Sequence, residues 1–277
     1  IVLKKSGLAA GKGVLESQNV EEMTAFAKKV LKDDVLVIEE FLEGCEATIF
    51  AVLDGKNYLL LPPCMDFKKA GENDTGPNTG GMGSVCPVPW LDAAAKERIL
   101  REAIEPTFEG LRREGLFYRG ILYFGLMITP GGPKLLEYNV RFGDPETQSL
   151  LPLISSDFGN LCDAITTGSL DSFPLTVSER ASVGVVVAAK GYPAAYRKGQ
   201  PVRIAETPGE KDLEVFHTAT YRDSEGILKT GGGRCFTVVG TGKDLFEAAD
   251  RAYRGVKNVF FPGAWFRPDI GKKFLTE

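Results

Sequence analysis

The chain has 277 residues, 43% hydrophobic and 25% charged, which suits one large or two smaller domains of a soluble globular protein. Its 33 basic and 37 acidic residues leave a net charge of −4, which offers no long-range attraction to nucleic acid. No apolar run approaches the roughly 20 residues that span a bilayer, so a cytoplasmic protein without a membrane partner is expected. Five scattered cysteines without a C-x-x-C pair argue against a disulfide framework or zinc site. A single histidine, His217, argues against histidine-based triads and leaves chemistry to carboxylates, lysines, arginines and amides.

In chain order, IVLKK reads as a strand from the first residue, and its pairing partner is expected upstream of Ile1. In KKSGLAAGKGV, Gly7, Gly11 and Gly13 bracket small residues while Lys4 and Lys12 supply positive charge, a pattern that suits a phosphate-binding hairpin loop. The spacing matches neither a Walker A loop nor a G-x-G-x-x-G fingerprint, and an ordinary flexible turn would share the composition. VEEMTAFAKKVLK places Val20, Met23, Ala27, Val30 and Leu31 on one helical face, with Asn19 and Glu22 spaced as a capping box. VLVIEE, 35 to 40, reads as a buried strand. After it, Glu39 to Leu42 could present backbone groups to an adenine edge with Phe41 and Leu42 along its faces, and Glu46 could accept ribose hydroxyls; a strand ending in a solvated acidic turn is the alternative.

Asp54-Gly55 between two apolar runs signals a hairpin. DTGPNTGGMG, 74 to 83, holds nothing expected to anchor a core and reads as a loop. Residues 92 to 114 read as a helix opened by Asp92 and kinked or divided at Pro106, and a second hairpin is expected at Gly131-Gly132. In LLEYNVRF, a period of two puts Leu136, Tyr138 and Val140 on a packed face and Glu137, Asn139 and Arg141 on the other. A carboxylate and an amide oxygen so placed suit Mg²⁺, which typically takes one or two protein oxygens at about 2.0 to 2.1 Å and completes its octahedron with phosphates and waters. Arg141 could then fork onto a phosphate, although a solvated sheet face would carry the same residues. Asp144 and Glu146 follow in a proline-containing turn. A second block starts near 177, with strands in ASVGVVVAAKG, EVFHTATY and RCFTVVGTG and a helix whose face holds Leu245, Ala249, Ala252, Val256 and Val259.

The order of these segments resembles the phosphoribosylamine–glycine ligase (glycinamide ribonucleotide synthetase) family of ATP-grasp enzymes along the whole chain, most specifically in GLAAGKGV, IEEFLEG, DTGPNTGGMG, RFGDPETQ and RPDIG. The resemblance implies an α+β architecture: an ATP-grasp fold followed by a small β-rich C-terminal domain. The divisions would be an N-terminally truncated lid (1–46), a central nucleotide and metal subdomain (47–176) and a C-terminal domain (177–277). It further implies ATP with Mg²⁺ or Mn²⁺, glycine and 5-phosphoribosylamine as substrates, a Rossmann-like N-terminal domain absent from this chain, and a monomer or weak dimer. By the same resemblance Lys4 touches nucleotide phosphate and Gly11, Lys12 and Gly13 belong to the loop that folds over it. Glu39, Glu40, Phe41 and Leu42 hold adenine, Glu46 holds ribose, and Glu137 with Asn139 hold the metal. Lys68, Arg141 and Asp144 serve catalysis, while Asp66, Asp74, Pro77, Asn78, Thr79, Gly80, Gly81, Met82 and Arg267 serve the substrates. Phe67 and Lys69 stand where the family usually has histidine and arginine, Cys45 where an acid is usual, and Val140 where cysteine is usual.

The implied reaction converts glycine's unreactive carboxylate to glycyl phosphate, which the amine of phosphoribosylamine attacks to give glycinamide ribonucleotide, ADP and phosphate. Residues 74 to 83 would close over that acyl phosphate and be mobile without ligands. Two alternatives stay open: another ATP-grasp carboxylate–amine ligase, and a nucleotide-binding module without turnover of its own.

Overall fold

A computed structural model describes residues 1–7, 13–205 and 211–274, so the expected phosphate-loop positions Gly11 and Lys12 lie outside the described residues. Lys5 N donates to Gly13 O at 2.8 Å and closes a hairpin between β1 (Val2–Lys5) and β2 (Val14–Glu16). After α1 (Val20–Val30), β3 (Leu36–Glu39) takes the other side of β1, giving an antiparallel sheet in the order β2-β1-β3. Both sides of the opening strand are thus filled from within the chain, which corrects the expectation of an upstream partner for it.

Asn19 caps α1 as expected, accepting from Glu21 N at 2.8 Å and Glu22 N at 3.3 Å. The capping box does not close: the Glu22 carboxylate accepts from the Ser17 hydroxyl at 2.8 Å, while Asn19 N donates to Ser17 Oγ at 3.0 Å. The apolar faces are also less covered than their periodicity suggests, because Val20 is 70% and Ile38 66% exposed and only Val30 of α1 is buried. One short helix covers one side of three short strands, and periodicity does not say whether a face has a neighbour.

The chain continues through β4 (Cys45–Asp54), β5 (Tyr58–Leu60), β6 (Met65–Asp66), β7 (Lys69–Gly71), β8 (Thr75–Asn78) and β9 (Gly83–Cys86). Helices α2 (Ala93–Ile99) and α3 (Glu105–Arg113) precede a hairpin of β10 (Arg119–Thr129) and β11 (Gly132–Asn139). Asp92 caps α2 through Ala95 N at 2.7 Å. The helix is not broken at Pro106. A π-helical stretch, Leu100–Ile104, precedes it and places the proline in the first turn of α3, where a missing N–H costs little. Both expected hairpins form, with φ of +94° at Gly55 and +119° at Gly132.

These strands build a second antiparallel sheet, β11-β10-β4-β5. Alternation along β4 sends Ile49, Ala51 and Leu53 to one core, with Ile104, Phe108 and Phe124, and sends Phe50 and Val52 to another, under α4 (Glu146–Leu150) and α5 (Phe158–Thr167).

The remainder adds β12 (Ala181–Ala188), β13 (Arg203–Ile204), β14 (Leu213–His217), β15 (Thr220–Arg222), β16 (Leu228–Thr230), β17 (Arg234–Gly242), α6 (Leu245–Val256) and β18 (Val259–Phe260). A third sheet has the order β14-β17-β12-β9-β6, so its ladder joins strands from both sides of the boundary expected at 176–177. EVFHTATY is not one strand: β14 ends at His217, and β15 pairs with β16 in a separate ribbon. The buried face of α6 holds Leu245, Ala249, Ala252 and Val256 as expected, whereas Val259 belongs to β18. Among the described residues no helix is long and apolar enough to cross a membrane.

The turn after β4 depends on Asp54, which is fully buried and accepts from Lys56 N at 2.8 Å, Asn57 N at 2.7 Å and Leu170 N at 3.1 Å. Burial opposes its charge, but the Asn57, Lys56 and Leu170 donors outweigh burial and hold the carboxyl below its usual pKa. Such a group stabilises the fold above its unfolded pKa of about 3.9, and that contribution disappears as pH falls through the lower folded value. Asp54→Ala is expected to lower the unfolding free energy by about 2–4 kcal/mol at neutral pH. In urea titrations its deficit relative to wild type should shrink as the pH is taken below about 4.

Candidate active site

The β2-β1-β3 sheet and the β11-β10-β4-β5 sheet bound a cleft of about 500 Å³. Lys4 and Glu39 come from the first sheet, with Glu40, Phe41 and Leu42 continuing along the rim. Glu46, Tyr123, Met127 and Glu137 come from the second, and Lys68, Asn78 and Thr79 close one end. Among the described residues an apolar groove of about 620 Å³ at Val256, Phe260, Phe261 and Phe266 has no acid along it, whereas the first cleft brings lysines and carboxylates together from two sheets.

Lys4 Nζ lies 2.5 Å from Glu39 Oε2 and donates to Leu136 O at 3.5 Å, reaching from one sheet to the other. A bulge in β11 at Leu136 lies opposite the Gly125–Leu126 step of β10, and a Cβ at Gly125 would sit 3.1 Å from Glu137 Cγ. The bare glycine therefore makes room for the Glu137 side chain beside it. Lys68 pairs with Glu46. Enclosure works against the Lys68 charge, but the Glu46 and Asp66 carboxylates outweigh it and keep the ammonium protonated.

Glu137, Asn139 and Arg141 share one side, as the strand period predicts. Asn139 Nδ2 donates to Glu137 Oε1 at 3.0 Å, and Arg141 Nη2 donates to Asn139 Oδ1 at 3.4 Å. The opposite face departs from expectation: Val140 is 69% exposed, and Tyr138 is only partly covered, hydrogen-bonding Thr107 at 2.6 Å. β11 is an edge strand, so little stands over its end. Among the described residues no three or more His, Cys, Asp or Glu side chains are grouped to hold a metal on their own. A carboxylate and an amide oxygen at a charged cleft fit Mg²⁺ or Mn²⁺ sharing its remaining positions with phosphate and water.

Beside the floor lies a buried acid pair. Asp66 is not among the cleft-lining residues; its Oδ1 is buried without a hydrogen-bond partner, and a Cβ at Gly81 would come within 2.5 Å of it. Burial, then the Glu146 charge, pushes the Asp66 carboxyl well above its usual pKa. Burial also raises Glu146, which is 2% exposed and accepts from Thr48 Oγ1 at 3.2 Å. Asp66 thus belongs to the wall behind the cleft.

The DTGPNTGGMG stretch divides in two. Asp74 to Pro77 are exposed, whereas Thr79 and Gly81 are buried and Met82 is a fully buried core residue, which corrects both the reading of the whole stretch as a loop and the Met82 side chain as a substrate contact. Thr79 N and Oγ1 donate to Lys68 O at 2.7 and 2.8 Å, and Met82 N donates to Phe67 O at 2.8 Å. Arg267, expected at the substrates, is instead 1% exposed, donating to Asp269 at 2.9 and 2.7 Å, to Lys69 O at 2.8 Å and to Asp74 Oδ1 at 3.1 Å. It braces Asp74 from behind. Phe67 packs beneath two cations, with Arg267 Cζ 5.4 Å and Lys273 Nζ 5.1 Å from its ring centroid.

Sequence reasoning missed Arg234. Its Nη1 donates to Gly80 O at 2.6 Å, Asp144 O at 2.8 Å and Asp144 Oδ1 at 3.2 Å, while Gly80 N donates to Tyr192 OH at 2.9 Å. The sole local signal is an arginine that opens an otherwise apolar strand after three glycines.

Two sheets gripping a charged cleft between them, one carrying an E-x-N-x-R strand, define an ATP-grasp protein. Residues 1–147 match the family described as phosphoribosylglycinamide synthetase, ATP-grasp (A) domain, and residues 182–273 match phosphoribosylglycinamide synthetase, C domain. The chain belongs to the phosphoribosylglycinamide synthetase family. It is 41% identical over 283 residues to the phosphoribosylamine–glycine ligase of Leptospira interrogans, covering 99% of this chain and 66% of that protein. The chain therefore spans a little under two thirds of the length of that curated relative. The crystal structure of phosphoribosylamine–glycine ligase from Thermotoga maritima superposes with a TM-score of 0.86 at 37% identity, covering 97% of this chain and 68% of that one. The biotin carboxylase domain of Hydrogenobacter thermophilus 2-oxoglutarate carboxylase, solved with MgADP, ADP and bicarbonate, shares the fold at a TM-score of 0.70 and 17% identity, covering 95% of this chain and 58% of that one.

Gly81 has φ +107°, and a Cβ there would meet Pro145 Cδ at 2.4 Å as well as Asp66 Oδ1. Gly81→Ala is expected to destabilise the fold by at least about 2 kcal/mol, read as a lower melting temperature, because neither the backbone conformation nor the space suits a side chain.

Proposed function

We propose that the cleft binds ATP with Mg²⁺ or Mn²⁺, and that the protein ligates glycine to 5-phosphoribosylamine through glycyl phosphate. The observation that carries this reading is the convergence of Lys4, the Glu39–Leu42 rim, Lys68 and Glu137 on one cleft, with Asn139 and Arg141 hydrogen-bonded in series beyond Glu137, in a chain of this family.

Glu137 and Asn139 would hold the divalent ion, which neutralises phosphate charge when bound. Lys4 draws the nucleotide phosphates toward the seam between the two sheets, helped by Gly11, Lys12 and Gly13. The rim from Glu39 to Leu42 takes adenine and Glu46 takes ribose. Lys68, kept charged by its carboxylate neighbours, and Arg141 meet negative charge on the transferred phosphoryl group. Asp144, Asn78, Thr79, Gly80 and Gly81 shape the acceptor side, while the exposed Asp74–Pro77 portion covers it when substrates are present. Residues 1–46 act as the lid. Phosphoryl transfer asks for alignment and neutralisation more than for proton carriers, and alignment alone contributes roughly 7–11 kcal/mol, so one histidine is no handicap. Because the chain spans 66% of its relative's length, part of the phosphoribosylamine site is proposed to lie in an N-terminal domain outside these residues.

Calorimetric titration with MgATP should show binding that Glu137→Gln weakens at least tenfold, about 1.4 kcal/mol, and makes less dependent on Mg²⁺. Unchanged Mg²⁺ dependence would remove Glu137 from the metal site. ADP release should need glycine and phosphoribosylamine together. Equal stimulation by other acids would favour a different carboxylate–amine ligase, and MgATP binding without glycine-dependent release would favour a nucleotide-binding module.

A further inference from the structure

Arg234 opens β17 in the C-terminal part of the chain, yet its hydrogen bonds are made to the wall of the cleft. Its Nη1 reaches two segments at once: Gly80 O at 2.6 Å with Gly81 O at 3.4 Å, and Asp144 through both its backbone oxygen, 2.8 Å, and its carboxylate, 3.2 Å. The side chain is 18% exposed, so water competes little for these bonds. A Cβ on Gly80 would lie 3.0 Å from Arg234 Cζ, so the guanidinium rests against a bare Cα. The Gly80 peptide is held from a second direction by Tyr192 OH, also C-terminal. One residue earlier Thr79 lines the cleft and is tied to Lys68 O, and two residues after Asp144 Glu146 joins the buried acids.

We infer that Arg234 is a positioning residue that fixes the Thr79–Gly81 turn and the Asp144 turn as one unit, so that the C-terminal sheet sets the acceptor side of the cleft independently of the nucleotide side. This rests on the proposed ligase reading for what the acceptor side binds, but not for the mechanical coupling. Nucleotide contacts at Lys4 and Glu39–Leu42 share none of these bonds. A lysine at this position keeps a charge and some of the donors but loses the flat contact with Gly80.

Hydrogen exchange on the full chain tests the coupling without requiring turnover. Arg234→Ala should speed exchange of the amides of residues 79–82 and 143–147 at least tenfold, and leave 45–54 and 119–129 unchanged. Arg234→Lys should fall between the two. MgATP affinity should stay within twofold, while the KM for glycine rises and kcat falls, with partial recovery in Arg234→Lys. Unaltered exchange at 79–82 in a folded Arg234→Ala variant would overturn the inference. So would a loss of protection throughout the chain in both variants, or a parallel fall in MgATP affinity. If the wild type binds MgATP but releases no glycine-dependent ADP, the ligase reading is at fault, and the exchange data alone decide the role of Arg234.

Discussion

The long antiparallel ladder between β4 and β10, paired from Asp54 with Arg119 to Cys45 with Ile128, constrains the rest of the molecule. Its alternating side chains are shared between two cores, so neither strand can slip by one residue without turning both inside out. That fixed register sets Glu46 at one end of the ladder and Tyr123 and Gly125 farther along it, all facing the same cleft. β11 joins the other edge of β10 and presents Glu137 opposite Gly125, beside its own bulge at Leu136. The chemistry is placed by a ladder whose own stability comes from apolar residues on both of its faces.

Charge is then arranged around that frame in linked pairs. Lys4 with Glu39 and Lys68 with Glu46 balance cations against acids inside the cleft, while Asp66 and Glu146 lie behind it with few compensating groups. Lys68, Tyr123, Thr48 and a backbone N–H offset part of the cost of enclosing Glu146, whereas Asp66 Oδ1 is buried without a hydrogen-bond partner.

Features decided within a few residues were legible in the sequence. Asp54-Gly55 and Gly131-Gly132 mark their hairpins because turn geometry demands particular residues locally, and Asn19 and Asp92 mark helix starts for the same reason. The single-sided display of Glu137, Asn139 and Arg141 follows from the strand period alone. Coverage was less legible: the pattern around Val20 and Ile38 says which side chains share a face, not what lies over it. Glycine-rich composition misled at 80–83. Gly83 is small because a Cβ would lie 2.5 Å from Gly184 O, and Gly81 because Pro145 crowds it, so these glycines mark close backbone approach rather than looseness. Arg234 left only a faint mark, an arginine opening a strand after three glycines, and the pairing of Asp66 with Glu146 left none, since the residues they meet lie far away along the chain.

The sheet that joins β9 and β6 to β12 and β17 also bears on how this polypeptide could be inherited or divided. Severed at 176–177, each piece would expose an unfinished row of backbone donors and acceptors, β9 on one side and β12 on the other, and each would seek any available strand. Gene fission at that point would therefore be tolerated only if the two products were made together, whereas fusion of additional modules at the chain ends would leave this seam intact.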